Sequence, residues 1–113
     1  MKLVFLYYPV KNLKESLKIY RDMLGFEEAW REGDHTVALH LPESDVQMMI
    51  EEDEKELEAG GMFLVESVDT FYLEKKELFQ FVKPPKDIPP GRYAVCKDEN
   101  NNYIRIIDFS KEN

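Results

Sequence analysis

The chain has 113 residues, 23 of them acidic and 15 basic, for a net charge of −8. That balance argues against nucleic acid, which is bound by clustered Lys and Arg that release counterions, and against an anionic membrane surface. The length suits one domain, and seven Phe, six Tyr and one Trp supply a packed core rather than a disordered chain.

Leu3 to Val10 is rich in β-branched and aromatic residues and predicts a strand. It is too short to cross a membrane and has no small-residue cleavage site, so a cytoplasmic protein is expected. Asn12 with Glu15 three residues on forms an Asn-led capping box. Leu13, Leu17, Tyr20 and Leu24 then lie on one helical stripe, and Gly25 ends the helix through the left-handed conformation it adopts cheaply.

A three-strand meander is predicted next, over 26–32, 36–41 and 46–51, with Gly33-Asp34 and Pro42 to Asp45 as turns. Closing the second turn with Leu41 opposite Val46 pairs His40 with Gln47, Leu39 with Met48 and Ala38 with Met49. One face then carries Val37, Leu39, Leu41, Val46, Met48 and Ile50, and covers a helix. The other is mixed: Thr36, Ala38, His40, Gln47, Met49 and Glu51.

Glu51 to Glu58 holds six carboxylates, but without the spacing of a calcium loop it reads as a solvated connector. Gly60-Gly61 breaks the chain, a strand starts at Met62, and Ser67 or Asp69 caps a helix to about Leu78. The pattern of residues 10–13 recurs at 65–68. A shift of 56 residues lays Met48, Met49 and Ile50 over Ile104, Arg105 and Ile106. The fold class expected is α+β: two tandem βαβββ modules over 1–52 and 62–113, an acidic connector at 53–61, and a curved mixed sheet around a cavity. The second module is compressed, because four prolines in 83–91 leave little room for a regular strand. Cys96, the only cysteine, precludes an internal disulfide and reads as a buried strand thiol rather than a nucleophile.

The stretches Pro9-Val10-Lys11-Asn12-Leu13-Lys14-Glu15-Ser16 and Tyr20-Arg21-Asp22-Met23-Leu24-Gly25-Phe26 resemble the opening of the vicinal oxygen chelate superfamily. That superfamily includes glyoxalase I, bleomycin- and fosfomycin-resistance proteins and extradiol dioxygenases. Its opening reads V-x-D-L-x-x-S, then F-Y-x-x-x-L-G-F. Lys97 to Ile106 is similar to its ending, D-P-x-G-N-x-I-E-L, with Asn101 in place of the turn glycine and Glu99 in place of the proline. The resemblance implies metal ligands at three positions, which here hold Phe5, Gly60 and Arg105. None of these binds a metal, and a guanidinium repels one. Met49, the repeat partner of Arg105, is no hard-metal donor either. Glu58 would serve only under a different alignment, and His40, Gln47 and Glu51 could improvise a site only against a simpler hydrogen-bonded reading. His35 reads as a surface residue. No cofactor and no metal are therefore expected, and no catalytic residue is assigned, although Glu51 or His40 could do acid–base work.

By strand alternation from the family position Phe5, the cavity face of the first strand carries Phe5 and Tyr7. His40, Gln47, Met49 and Arg105 join them in the cavity that the resemblance implies, Trp30 and Tyr93 are candidates whose faces are left open, and Tyr103 lies near the mouth. Such a lining suits a planar or partly apolar small molecule, with Arg105 gripping a carboxylate or phosphate. The expected function is metal-free binding of a small-molecule ligand, by sequestration or sensing as in the bleomycin-resistance branch, in a homodimer. The −8 charge favours a cationic drug and Arg105 an anionic group, so the ligand stays unnamed. Two rivals remain: an enzyme of the same superfamily (lyase, dioxygenase or isomerase), and an interaction or regulatory module closed by a partner chain.

Overall fold

The computed structural model describes residues 1–52 and 58–112; residues 53–57 of the expected acidic connector lie outside them. The chain divides into two compact units, Val4–Ala59 and Gly60–Asn113, with Met1–Leu3 belonging to the latter. Each is a βαβββ module, as the repeat predicts.

The first module contains β1 (Lys2–Val10), α1 (Leu13–Leu17), β2 (Glu28–Glu32), β3 (Thr36–His40) and β4 (Gln47–Glu52). Its strands run in the order β2-β3-β4-β1, antiparallel except for the parallel pair β4 and β1. The hairpin register is the expected one, with His40 opposite Gln47, Leu39 opposite Met48 and Ala38 opposite Met49. Leu13 and Leu17 pack with Val37, Leu39, Met48 and Ile50, and Tyr8, Tyr20 and Phe26 seal the edges. Complete burial of each aliphatic side chain contributes about 1.5–3 kcal/mol.

The Asn12 carboxamide accepts from Glu15 N–H at 3.0 Å, so the predicted cap forms. The helix differs from expectation one turn later. Residues Lys18–Met23 form a π-helical turn, in which Leu24 N–H donates to Ile19 O at 2.9 Å. The wider turn rotates the last helical residues off the α-helical stripe. Leu24, expected in the core, is 58% exposed, and Met23 is 78% exposed. Gly25 does take the left-handed conformation (φ +83°).

The second module contains β5 (Gly60–Leu64), α2 (Val68–Lys75), β6 (Gln80–Ile88), β7 (Gly91–Lys97) and β8 (Tyr103–Ile107). Its order is β5-β8-β7-β6, again with one parallel pair, β5 and β8. Ser67 is the cap of α2, accepting from Thr70 N–H at 3.2 Å. Val68, Ala94 and Ile106 form the core with Val65, Phe71, Phe81 and Ile104 around them. Asn101 turns the β7–β8 hairpin at φ +63°, so it does stand in for a glycine. Cys96 is buried, which pushes its thiol pKa up to about 11.

The expectation of little regular strand over 83–91 is corrected. Strand β6 spans nine residues and pairs with β7, with register shifts on either side of Lys83. It lies at the sheet's end, where the missing N–H groups of Pro84 and Pro85 cost little, and the irregularity absorbs them.

A carboxylate at the end of each module's parallel strand pins its helix. Glu52 Oε1 accepts from Leu13 N–H at 2.9 Å, and Asp108 Oδ2 accepts from Val68 N–H at 2.8 Å. Asp108, 2% exposed, also accepts from Arg92 N–H and from the N–H and hydroxyl of Ser110. Burial raises its pKa, but these four hydrogen bonds together outweigh burial and hold the carboxyl below its ordinary value. The backbone N–H of Leu13, and then His35, likewise lower that of Glu52. Among the described residues, no helix is long and apolar enough to cross a membrane.

Candidate functional site

The sheet face of the first module turned away from α1 gathers six of the predicted residues. Phe5 pairs with Gln47 and Tyr7 with Met49 across β1 and β4; His40 sits opposite Gln47, and Trp30 opposite Ala38. Trp30, whose face the sequence leaves open, is fixed here by two contacts. Its indole N–H donates to Gln47 Oε1 at 2.9 Å, and its ring meets Phe5 edge-on at 5.9 Å between centroids. An edge-to-face pair adds about 0.5–1.5 kcal/mol to what its buried area contributes. Phe5, Trp30 and Gln47 are half-buried and His40 is exposed, while Tyr7 and Met49 are buried.

Glu51 lies on the same face. Its Oε1 accepts from the Tyr7 hydroxyl at 2.7 Å and its Oε2 from the Thr36 hydroxyl at 2.6 Å. The pairing to Tyr7 and Thr36 is local: Thr36 sits opposite Glu51 on β3, and Tyr7 lies one step along the face on β1. A carboxylate has about four acceptor positions, so Glu51 keeps capacity for a further donor. The residue pattern puts Thr36 and Glu51 on one face and Tyr7 in the cavity lining, but does not give the two hydrogen bonds that join them, because a single Thr and Tyr carry no motif. Glu51 is thus committed to Tyr7 and Thr36, and Gln47 to Trp30.

In the second module the equivalent face carries Tyr93 and Arg105. Arg105 sits opposite Met62 on β5 and Val95 on β7. It is 0% exposed, so the guanidinium expected to grip a ligand's carboxylate or phosphate is closed to solvent. The Tyr103 ring lies 5.8 Å from its guanidinium carbon. Gly60 backs it: a side-chain carbon there would fall 3.4 Å from Arg105 Nη1 and 2.8 Å from Tyr103 O. Tyr93 is half-buried and carries Lys86 Nζ 5.8 Å from its ring centre. An open cleft of about 510 Å³ elsewhere in this unit, lined in part by Met1, Leu64, Val65 and Phe109, holds none of the predicted residues.

The resemblance implies a divalent metal, and the three positions it points to do not fit one. The Phe5 ring is packed on Trp30, Gly60 has no side chain, and Arg105 is a buried permanent cation. Among the described residues, no three His, Cys, Asp or Glu side chains come together as a metal-holding group. His35, expected at the surface, is exposed and pairs with Glu52 at 2.9 Å.

No curated protein matches the sequence at a significant level. Among solved structures, a Legionella pneumophila protein described as an NAD-dependent benzaldehyde dehydrogenase superposes with a TM-score of 0.74 at 18% identity, over 93% of this chain and 97% of that one. A glyoxalase/bleomycin resistance protein/dioxygenase superfamily member from Vibrio splendidus 12B01 gives 0.68 at 18%, over 95% and 97%. Streptomyces coelicolor methylmalonyl-CoA epimerase, in complex with 2-nitronate-propionyl-CoA, gives 0.74 at 12%, over 96% and 94%. At these identities the likeness concerns the fold. The family model of the Glyoxalase/Bleomycin resistance protein/Dioxygenase superfamily matches residues 2–106, nearly the whole chain, and the chain belongs to that superfamily.

Proposed function

We propose that this chain binds a planar or partly apolar small molecule, without a resident metal, and sequesters or senses it. The observation that carries the reading is the aromatic corner of the first module. Phe5 and Trp30 are half-buried, meet edge-on, and are locked by the bond from Trp30 to Gln47, on a sheet whose other face is already sealed by the helix. A rigid aromatic surface beside an amide and the exposed His40 suits a flat ligand with a polar rim. The lack of donors at Phe5, Gly60 and Arg105 supports the metal-free part. We further propose a cytoplasmic homodimer, to be tested by light scattering.

Trp30 is the only tryptophan, so its fluorescence reports directly on the corner. Titration with a panel of flat heteroaromatic and phenolic compounds is expected to give a saturable change with at least one class, weakened about tenfold by Phe5→Ala. The absence of any saturable response, together with no thermal shift, would sink the reading. Stoichiometric divalent metal in purified protein would overturn its metal-free part.

A second reading has one specific support, Glu51. A half-buried carboxylate oriented by two hydroxyls can accept a proton, and Streptomyces coelicolor methylmalonyl-CoA epimerase shares the fold. Solvent deuterium exchange into a panel of carbonyl acids, lost in Glu51→Gln, is the result that would favour an enzyme.

A further inference from the structure

The cleft of about 510 Å³ in the second unit uses none of the residues that the resemblance places in a ligand cavity. It lies at strand ends: Leu64 closes β5, Val65 and Glu66 lead on toward α2, and Phe109 and Ser110 follow β8. Leu64, Val65 and Phe109 form its apolar wall, and its volume is within the range of small-molecule sites.

That wall is fixed by the backbone. Val65 N–H donates to Ile107 O at 2.9 Å. The N–H and the hydroxyl of Ser110 both donate to Asp108 Oδ1, at 3.1 and 2.7 Å. Asp108 Oδ2 accepts from Val68 N–H, so one buried carboxylate ties together the two segments that line the cleft. Further on, Lys111 N–H donates to Pro90 O and Glu112 N–H to Phe109 O. Phe109 is thus carried on a chain bound on both sides, yet it remains 38% exposed. An aromatic residue already held in place loses little more freedom when a ligand covers it.

Two charges of opposite sign, Lys2 and Glu66, line the same cleft. Both are exposed. Among the described residues, neither takes an ion-pair or hydrogen-bond partner, and they do not pair with each other. The Ser110 hydroxyl gives its proton to Asp108, which leaves its oxygen to accept from a further donor. The cleft therefore sets a cation, an anion and an acceptor around an apolar wall. A ligand anion would be drawn to Lys2 and repelled by Glu66, and a ligand cation the reverse. A molecule with one ammonium and one carboxylate gains from both.

We infer that this cleft binds an apolar α-amino acid, its ammonium toward Glu66 and Ser110, its carboxylate at Lys2 and its side chain on Leu64, Val65 and Phe109. The inference goes beyond the proposed function and shares no residue with the aromatic corner, so either can fail without the other.

Calorimetry on the full chain tests it, with L-leucine and L-phenylalanine as ligands. Glycine, 4-methylpentanoate and 3-methylbutylamine are the controls; they lack the apolar group, the ammonium and the carboxylate in turn. Saturable heat is expected with at least one of the two amino acids. Each control should bind about fivefold more weakly, or less tightly still, as befits the loss of one solvent-exposed contact. K2Q and E66Q should each lower affinity about fivefold with an unchanged thermal midpoint. K2R and E66D should retain most of the affinity, which separates charge from packing. K14Q/K18Q, on the exposed side of the first helical segment, should bind as the parent does. No heat from either amino acid, a control binding as tightly as leucine, or undiminished affinity in both K2Q and E66Q would overturn the inference. So would Trp30 emission that follows the titration, since it would move the amino acid to the aromatic corner.

Discussion

The two modules share one plan and differ in what they expose. Each has a parallel strand pair at one end of its sheet, a capped short helix on one face, and a terminal carboxylate reaching back to the helix N-terminus: Glu52 to Leu13, Asp108 to Val68. Their other faces diverge in charge. The first module sets a carboxylate, Glu51, among aromatic and amide groups; the second sets Arg105 among tyrosines. Since the scaffold is common, the difference resides in a few alternating positions, such as Met49 against Arg105. Duplication keeps what closes the core and leaves the opposite face at liberty to change its chemistry.

The largest break in this symmetry is expected at Asp108. Asp108→Ala leaves the N–H groups of Val68 and Arg92 without their acceptor in a site closed to water, a loss of roughly 3 kcal/mol. Thermal denaturation should register it as a fall of roughly 10 °C. Gly91→Ala should act through the same residue, because an added side-chain carbon collides with Asp108 O and Oδ1. The counterpart Glu52→Ala should cost distinctly less, since Glu52 is partly exposed and water can replace it. Equal losses would show that the shared carboxylate does not work by excluding water.

Next in size is Leu17→Ala, in the core of the first module, at about 2–5 kcal/mol by chemical denaturation. Acid sharpens the comparison of carboxylates further. Asp108 and Glu52 both have folded pKa values below the ordinary 3.8 and 4.5. Their contribution is therefore complete above those ordinary values and is lost as pH falls through the lower, folded ones. Denaturation midpoints measured from pH 5 downward should fall less steeply in Asp108→Asn than in the parent chain. The smallest effect is expected at Leu24→Lys, within about 0.5 kcal/mol, because the π turn has already moved this residue into solvent. A loss as large as that of Leu17→Ala would place Leu24 back on the stripe.

Much of the scaffold is legible in the residue pattern, because period-two alternation and capping are local. The 36–51 hairpin is set by its oily face, and Asn12, Ser67, Gly25 and Asn101 mark helix and turn ends through their own conformational preferences. The π turn is not legible, since the spacing of Leu13, Leu17, Tyr20 and Leu24 is as good for an uninterrupted α-helix. Strand β6 is hidden by Pro84 and Pro85, whose cost depends on whether the strand lies at the edge of the sheet, a tertiary fact. At the candidate site, the resemblance with alternation selects Phe5 and Tyr7, and the hairpin register selects Gln47 and Met49, while their meeting depends on the pairing of β1 with β4. The face of Trp30 depends on β2 pairing irregularly with β3 between Glu28 and Trp30, and the burial of Arg105 depends on everything packed around it.

Cys96 turns the twofold plan into something measurable. At a pKa of about 11, roughly one thiol in 10⁴ is ionised at neutral pH, and the side chain is enclosed within the second module. Alkylating reagents can therefore react only when that module opens, whereas Trp30 emission reports on the first. One unmodified chain thus carries a chemical clock in one half and an optical one in the other. Running both in the same denaturant would reveal whether the repeated halves melt as a single cooperative body or one after the other.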